Sequence, residues 1–182
     1  MAAPIPVRFL AGDRGEWRID RISPVAGPGL PDAPALSRVE GERPPAAGAR
    51  WHLDGVTSNE RYVSRDEKDR LAARSPPLGR PEATRAVLIP VRKSSAWWEL
   101  PQDERRALLE ERSRHIAIGL EYLPAIARRL YHSRDLGGPF DFLTWFEFAP
   151  ASESSFDALL ERLRKSEEWG YVEREVEVRL SR

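Results

Sequence analysis

Between Ala86 and Leu180 the apolar residues switch repeatedly between a period of two and a period of 3.6, and that switching narrows the folds open to the chain. Ala86–Lys93 (AVLIPVRK) is a short apolar run with β-branched residues and predicts a strand, with Pro90 marking an edge or irregular position. LPQDERRALLEERSRHIAIG follows, charged at its start and apolar at Leu108, Leu109 and Ile116. It predicts one helix stopping at Gly119, with His115 in its last turns and on nearly the same face as Leu108. Ile126–Arg134 is the next strand, and DLGGP is a turn. Phe140–Phe148 (FDFLTWFEF) is an aromatic strand that places Phe140, Phe142, Phe146 and Phe148 on one face with Thr144. Ser152–Lys165 carries Phe156, Leu159, Leu160 and Leu163 at helical spacing, with Ser152 as candidate N-cap. Tyr171–Leu180 alternates Val172, Val176, Val178 and Leu180 against Glu173, Glu175, Glu177 and Arg179. The order is β-α-β-β-α-β, the ferredoxin-like arrangement, an α+β class. Its sheet has one face under helices and another that a partner, a ligand or the N-terminal segment must cover.

The N-terminal part is less regular. Pro6–Leu10 and Trp17–Ile22 predict a hairpin joined through Gly12 and Gly15. Residues 24–50, rich in Pro and Gly, predict an irregular loop. Trp51–Tyr62 reads as strand and Asp66–Ala73 as a short helix. The breaker cluster Ser75–Pro81 then divides a reduced α/β subdomain, residues 1–80, from a ferredoxin-like domain, residues 81–182.

Composition excludes several chemistries. The 182 residues hold no cysteine, so disulfides, thiolate nucleophiles, zinc–cysteine sites and a cysteinate ligand are out. Metal ligands must come from His52, His115, His132, carboxylates and phenols. The 29 basic and 29 acidic residues cancel, which argues against nucleic acid and anionic membranes as partners. No run approaches the ~20 apolar residues of a membrane span. The first residues carry Arg8 and Asp13 and no apolar stretch of signal-peptide length, so the expected location is cytoplasmic.

A histidine on a partly apolar helix face is usually just buried and hydrogen-bonded. The alternative at His115 is an axial ligand to haem iron, since neutral imidazole suits that metal. Arg128 lies thirteen residues on, flanked at strand spacing by apolar Ile126 and Leu130. A guanidinium on an apolar face requires an anion, either a neighbouring carboxylate or an anionic substrate. KSSAWWEL sets Trp97 and Trp98 close to Lys93; flat rings suit a haem pocket, and the ammonium suits a propionate. Glu167 and Glu168 precede Trp169, and either would accept the Nδ1–H of a ligating imidazole and fix its orientation.

Read as strings, TSNERYV (57–63), VLIPVRKSSAWWEL (87–100), ERSRHIAIGLEYLPAIARRLYHSRDL (111–136), PFDFLTWFEF (139–148) and LRKSEEWGYVEREV (163–176) resemble the chlorite dismutase family, in its short-chain dimeric branch. The likeness covers about two-thirds of the chain in order, and residues 1–50 match less distinctly. It implies a dimeric α+β barrel fold, haem b in the C-terminal domain, and a homodimer. It also implies conversion of chlorite to chloride and dioxygen, the O–O bond forming from ferryl haem and hypochlorite. The proximal ligand would be His115, its carboxylate partner Glu168, and the distal arginine Arg128. Cofactor contacts would fall on Asn59, Tyr62, Ile89, Lys93, Trp97, Trp98, Thr144 and Phe146. A related enzyme, coproheme decarboxylase, has a tyrosine where this chain has Ile89 and often a glutamine where it has Arg128, so that resemblance is weaker. A haem-binding or sensing protein without catalysis, and a haem-free barrel protein, are the non-enzymatic alternatives.

Overall fold

The computed structural model describes residues 4–57 and 62–182. Four strands come first: β1 (Pro6–Gly12), β2 (Trp17–Ala26), β3 (Ala35–Glu40) and β4 (Trp51–Val56), followed by helix α1 (Arg65–Arg74). Strand β5 (Arg85–Lys93) leads into α2 (Ser95–Glu99), α3 (Gln102–Arg106), a π-helical turn (Ala107–Arg112) and α4 (His115–Glu121). Then come β6 (Ala127–His132), β7 (Phe142–Phe148), α5 (Glu153–Arg164) and β8 (Val172–Ser181). From β5 onward this is the expected β-α-β-β-α-β order. No helix of the described residues is long and apolar enough to cross a membrane.

The eight strands close into a barrel in the order β1-β3-β2-β8-β5-β7-β6-β4, every pairing antiparallel. The sheet β8-β5-β7-β6 is the ferredoxin-like half. The N-terminal strands cover its open face, so the N-terminal segment is the cover that face required. Closure at the β4–β6 seam depends on Gly55: a Cβ there would stand 2.7 Å from the Tyr131 Cβ, closer than packed carbons tolerate.

Side-chain parity sorts the sheet into two apolar layers. Leu88, Leu143, Trp145, Tyr131, Val176, Val178 and Leu180 point into the barrel, where they meet Val7, Phe9, Trp17, Leu36 and Leu53. Both halves of the chain therefore share this core. Val87, Ile89, Phe146 and Phe148 point outward and pack under Ile118 of α4 and Phe156, Leu159 and Leu160 of α5. The candidate site lies in this outer layer.

Some local expectations change. The predicted N-terminal hairpin does not form, because β3 pairs with both β1 and β2 and separates them. Strand β3 was hidden in the Pro/Gly-rich segment. Its polar residues Arg38 and Glu40 group with the Tyr131 hydroxyl, so their burial left no apolar pattern. Strand β5 lies between β7 and β8, so of the two positions expected for Pro90 it takes the irregular one and interrupts the β8 ladder, which passes from Leu88↔Val178 to Val91↔Glu175. Phe140 precedes β7 and packs inside the barrel core, apart from Phe142, Phe146 and Phe148. In β8, Glu175 and Glu177 on the polar side of the alternation lie away from solvent. Both are buried under Arg164, which donates to Glu175 at 2.8 Å and Glu177 at 2.7 Å. Burial raises the Glu177 carboxyl, but hydrogen bonds from Arg164 and Arg179 outweigh it and hold it below its ordinary value.

Candidate active site

The predicted helix over 100–119 is broken where it matters. After the π-helical turn, Arg114 takes a left-handed conformation, φ 53°, and α4 restarts with His115 as its first residue. Gly119 sits inside α4 and does not end it. The expected shared face of Leu108 and His115 is lost with the break. Leu108 turns into the protein, and Leu109 reaches the same cavity as His115. A left-handed non-glycine residue costs about 1–2 kcal/mol and persists only where its surroundings determine it.

Two side chains determine it. Glu110 accepts from the backbone N–H of Ile116 at 2.6 Å and of Ala117 at 3.2 Å, filling the role of an N-cap that Arg114 does not provide. Ser113 Oγ accepts from the Glu168 N–H at 2.9 Å and ties the break to the turn before β8. Neither residue was singled out in the sequence. The only signal was a carboxylate five residues before a histidine, which a continuous helix would not bring into contact with the following amides.

His115 opens onto a cavity of about 230 Å³ between the outer sheet face and the helices. The sheet wall is built by strand parity. Arg128, Leu130 and His132 project from β6, and their register partners Phe146, Thr144 and Phe142 project from β7. Ile89 and Val91 continue the wall on β5, where Ile89 stands opposite Thr144. The helix wall carries His115, Ile116 and Gly119 of α4, Leu159, Leu160 and Leu163 of α5, and Leu71 of α1. Tyr62, Lys93, Trp97 and Glu168 line it as well.

One group of polar side chains stands behind His115. Its Nδ1 is 3.4 Å from Glu168 Oε2, too long for a formed hydrogen bond, and has no other partner among the described residues. The other Glu168 oxygen is paired with the Lys93 ammonium, and this pair is almost fully buried. Burial alone would raise the Glu168 carboxyl, but the facing His115 imidazole and the Lys93 charge outweigh it and hold it well below the usual carboxylate range. Sequence left Glu167 and Glu168 as alternatives. Glu167 instead pairs with Arg112 at the surface, 2.8 Å away.

Trp97 is buried, with the Lys93 ammonium 4.6 Å above its ring and Tyr62 and Tyr171 packed edge-on. Its indole Nε1 is buried and has no hydrogen-bond partner among the described residues. Tyr62 is held by Arg105, which donates to its hydroxyl at 3.1 Å. Two expectations are corrected. Trp98 does not line the cavity: it stacks on Phe142 with centroids 6.0 Å apart, takes Arg134 over its ring, and donates to Asp141 at 3.3 Å. Lys93, expected to meet a propionate, directs its ammonium to Glu168 instead, since a buried cation must first satisfy a buried carboxylate. Asn59 lies outside the described residues.

The family model described as chlorite dismutase matches residues 46–182. The curated chlorite dismutase of Ideonella dechloratans is 36% identical over 97 residues, which are 52% of this chain and 33% of that protein. The match therefore spans about a third of that relative's length. Among solved structures, a dimeric chlorite dismutase from Nitrobacter winogradskyi is 54% identical, with a TM-score of 0.90 over 97% of this chain and 99% of the other. A mutant chlorite dismutase from Candidatus Nitrospira defluvii is 20% identical with a TM-score of 0.70, covering 98% of this chain and 92% of that one, a likeness of fold alone. On its family match over most of its length, and on the near-complete overlap with the Nitrobacter structure, this chain belongs to the chlorite dismutase family.

Proposed function

We propose that the chain is a haem b enzyme that converts chlorite to chloride and dioxygen, acting as a homodimer. The observation that carries this reading is the opposition of two groups across one apolar cavity. An imidazole backed by Glu168 and Lys93 comes from the helix side, and the guanidinium of Arg128 from the sheet. The near-complete match to a dimeric chlorite dismutase at 54% identity supports both the activity and the assembly.

The residues present fit haem on three counts. The cavity is lined mainly by aliphatic and aromatic side chains, as a flat macrocycle requires. The buried Trp97 Nε1 needs an acceptor that the described residues do not supply, and a haem carboxylate is one. Third, no three His, Asp or Glu side chains converge to hold a bare ion among the described residues. A lone imidazole suits an iron whose in-plane ligands come with the macrocycle.

When bound, haem iron supplies the redox chemistry by which an oxygen atom leaves chlorite. The protein's part is positional and electrostatic. His115 lines the cavity while its Nδ1 faces Glu168 at 3.4 Å, so closing that small gap would let Glu168 accept a hydrogen bond from Nδ1–H and fix the orientation of the ligating ring. Lys93 keeps Glu168 anionic in its buried position. Arg128 remains charged at any working pH, so it would hold the chlorite anion in the cavity and stabilise negative charge on the chlorine oxyanion, and it would not act as a proton donor. Tyr62 and Trp97 would offer their polar atoms to the haem carboxylates, and Thr144 and Phe146 stand on the sheet wall beside Arg128. The Ile89 side chain has no phenol, which favours this reading over a decarboxylase that needs a tyrosyl group at that place.

The test is reconstitution with haemin, then a Soret spectrum and oxygen release from added chlorite. Arg128→Ala is expected to keep the Soret band and lose oxygen evolution by about a hundredfold or more, the scale of removing one group that stabilises developing charge. Equal turnover in the two proteins would remove Arg128 from the chemistry. A wild-type protein that binds haem but releases no oxygen would leave the sensing alternative in its place.

A further inference from the structure

We infer that Glu110 is the positioning residue for His115: its carboxylate sets the start, and so the orientation, of the helix that carries the ligating imidazole. This rests on the reading of His115 as a haem ligand and names what holds that ligand in place.

His115 is the first residue of a seven-residue helix that starts directly after a left-handed arginine. The first amides of any helix lack backbone acceptors. Here the Ile118 amide donates to Arg114 O at 2.8 Å, while the Ile116 and Ala117 amides both turn to Glu110. No other side chain bonds to either amide among the described residues. The N-cap residue Arg114 makes no side-chain bond to the helix. A helix this short has little cooperativity of its own, so its terminal contacts decide how it sits.

The π-helical turn containing Glu110 is what makes this contact feasible, because the chain ahead of His115 is no longer one straight helix. The carboxylate bridges the break from its N-terminal side, as Ser113 does through the Glu168 amide. Without Glu110, two buried or half-buried N–H groups and an unfavourable backbone conformation remain. Rotation of α4 is then the simplest relief. A shift of about half an ångström at the ring is enough to spoil ligand geometry, and it would change the 3.4 Å spacing to Glu168.

The test uses the haem-loaded full chain and its apo form. In ferrous protein, the iron–histidine stretching band and the ferric/ferrous midpoint potential report on the ligating bond. Amide exchange at Ile116 and Ala117 in the apo protein reports on the cap without haem. Glu110→Ala is expected to broaden and shift the iron–histidine band and to weaken haemin binding by about tenfold or more, the usual cost of losing an outer partner of a metal ligand. It should also speed exchange at both amides. Glu110→Gln keeps one acceptor oxygen, enough for the shorter Ile116 bond, and should restore the band in part. Glu110→Asp, one methylene shorter, should not. Glu110→Ala with an unchanged band and potential, beside a normal wild-type spectrum, would overturn the role of Glu110 alone. A wild-type protein with no iron–histidine band would overturn the haem reading and this inference with it. If Glu110→Ala fails to fold, the contrast between Gln and Asp decides: identical bands in those two variants would overturn the proposal.

Discussion

Lys93 and Glu168 form an ion pair that water hardly reaches, their side chains 5% and 9% exposed. Such a pair contributes little over an apolar replacement of both partners, but losing one partner leaves the other charged and buried, at a cost of about 3–5 kcal/mol. Lys93→Met is therefore expected to lower stability by about 3 kcal/mol in urea denaturation of the apo protein. It leaves Glu168 with only the His115 ring, and a loss under about 1 kcal/mol would show that water reaches the pair. In the folded protein Glu168 is held ionised well below its ordinary value, so its contact with His115 persists into mild acid and is lost only as pH falls through that depressed value. The residue next to it, Glu167, has no such role because it pairs with Arg112 in solvent. One step along the backbone separates a buried partner of the imidazole from a surface charge.

At the scale of elements, α1 is the piece of the cavity wall least secured by packing. It has no buried side chain, yet its Leu71 lines the cavity. What docks it is polar: Glu67 closes a capping box with Ser64 and takes two bonds from Arg106 of α3, each 2.7 Å. The Arg106 hydrogen bonds are the largest cause lowering the Glu67 carboxyl to about 2, and with the Ser64 bonds and the Arg106 charge they outweigh the opposing effect of burial. A depressed carboxyl stabilises the folded state fully above its ordinary value and loses that contribution as pH falls toward the folded value. Helix α1 should accordingly loosen between about pH 4.5 and pH 2, before the barrel unfolds, read as faster amide exchange over 65–74. Arg106→Gln should produce the same loosening at neutral pH and cost about 1 kcal/mol, discounted for a pair that solvent partly screens. Exchange in α1 that stays unchanged in both conditions would mean that another contact holds the helix.

Across the whole molecule, the closed barrel makes the halves of the chain interdependent. Val7, Phe9, Leu36 and Leu53 from residues before 80 pack against Leu88, Tyr131, Leu143, Trp145 and Val178 from residues after it. The residues before 80 have no second core cluster among the described residues, so they depend on this one, while those after 80 also pack the outer layer under α4 and α5. A single cooperative transition is expected, with tryptophan fluorescence, far-ultraviolet dichroism and urea midpoint coinciding. Two separated transitions would mean that residues 1–80 and 81–182 fold as independent units. Gly55→Val is expected to abolish this cooperativity or the fold, because the added side chain has no room beside Tyr131 at the closing seam.

The sequence by itself determined the ladder of elements from Ala86 onward, because changes between periods two and 3.6 are local and survive without knowledge of partners. Strand parity likewise placed Arg128 on the same face as Ile126 and Leu130, and Thr144 with Phe146, since alternation in a strand does not depend on what faces it. What only the tertiary structure decided involves residues whose partners lie far along the chain or across a backbone break. Strand β3 was invisible because Arg38 and Glu40 are satisfied by Tyr131, 93 and 91 residues away. The sequence predicts a continuous helix before His115 because nothing local announces a left-handed arginine stabilised by Glu110 and Ser113. Trp98 seemed equivalent to Trp97, yet helix α2 turns only Trp97 toward the cavity. A buried charge or a strained turn is stable only through its partners, and partners are a property of the folded chain.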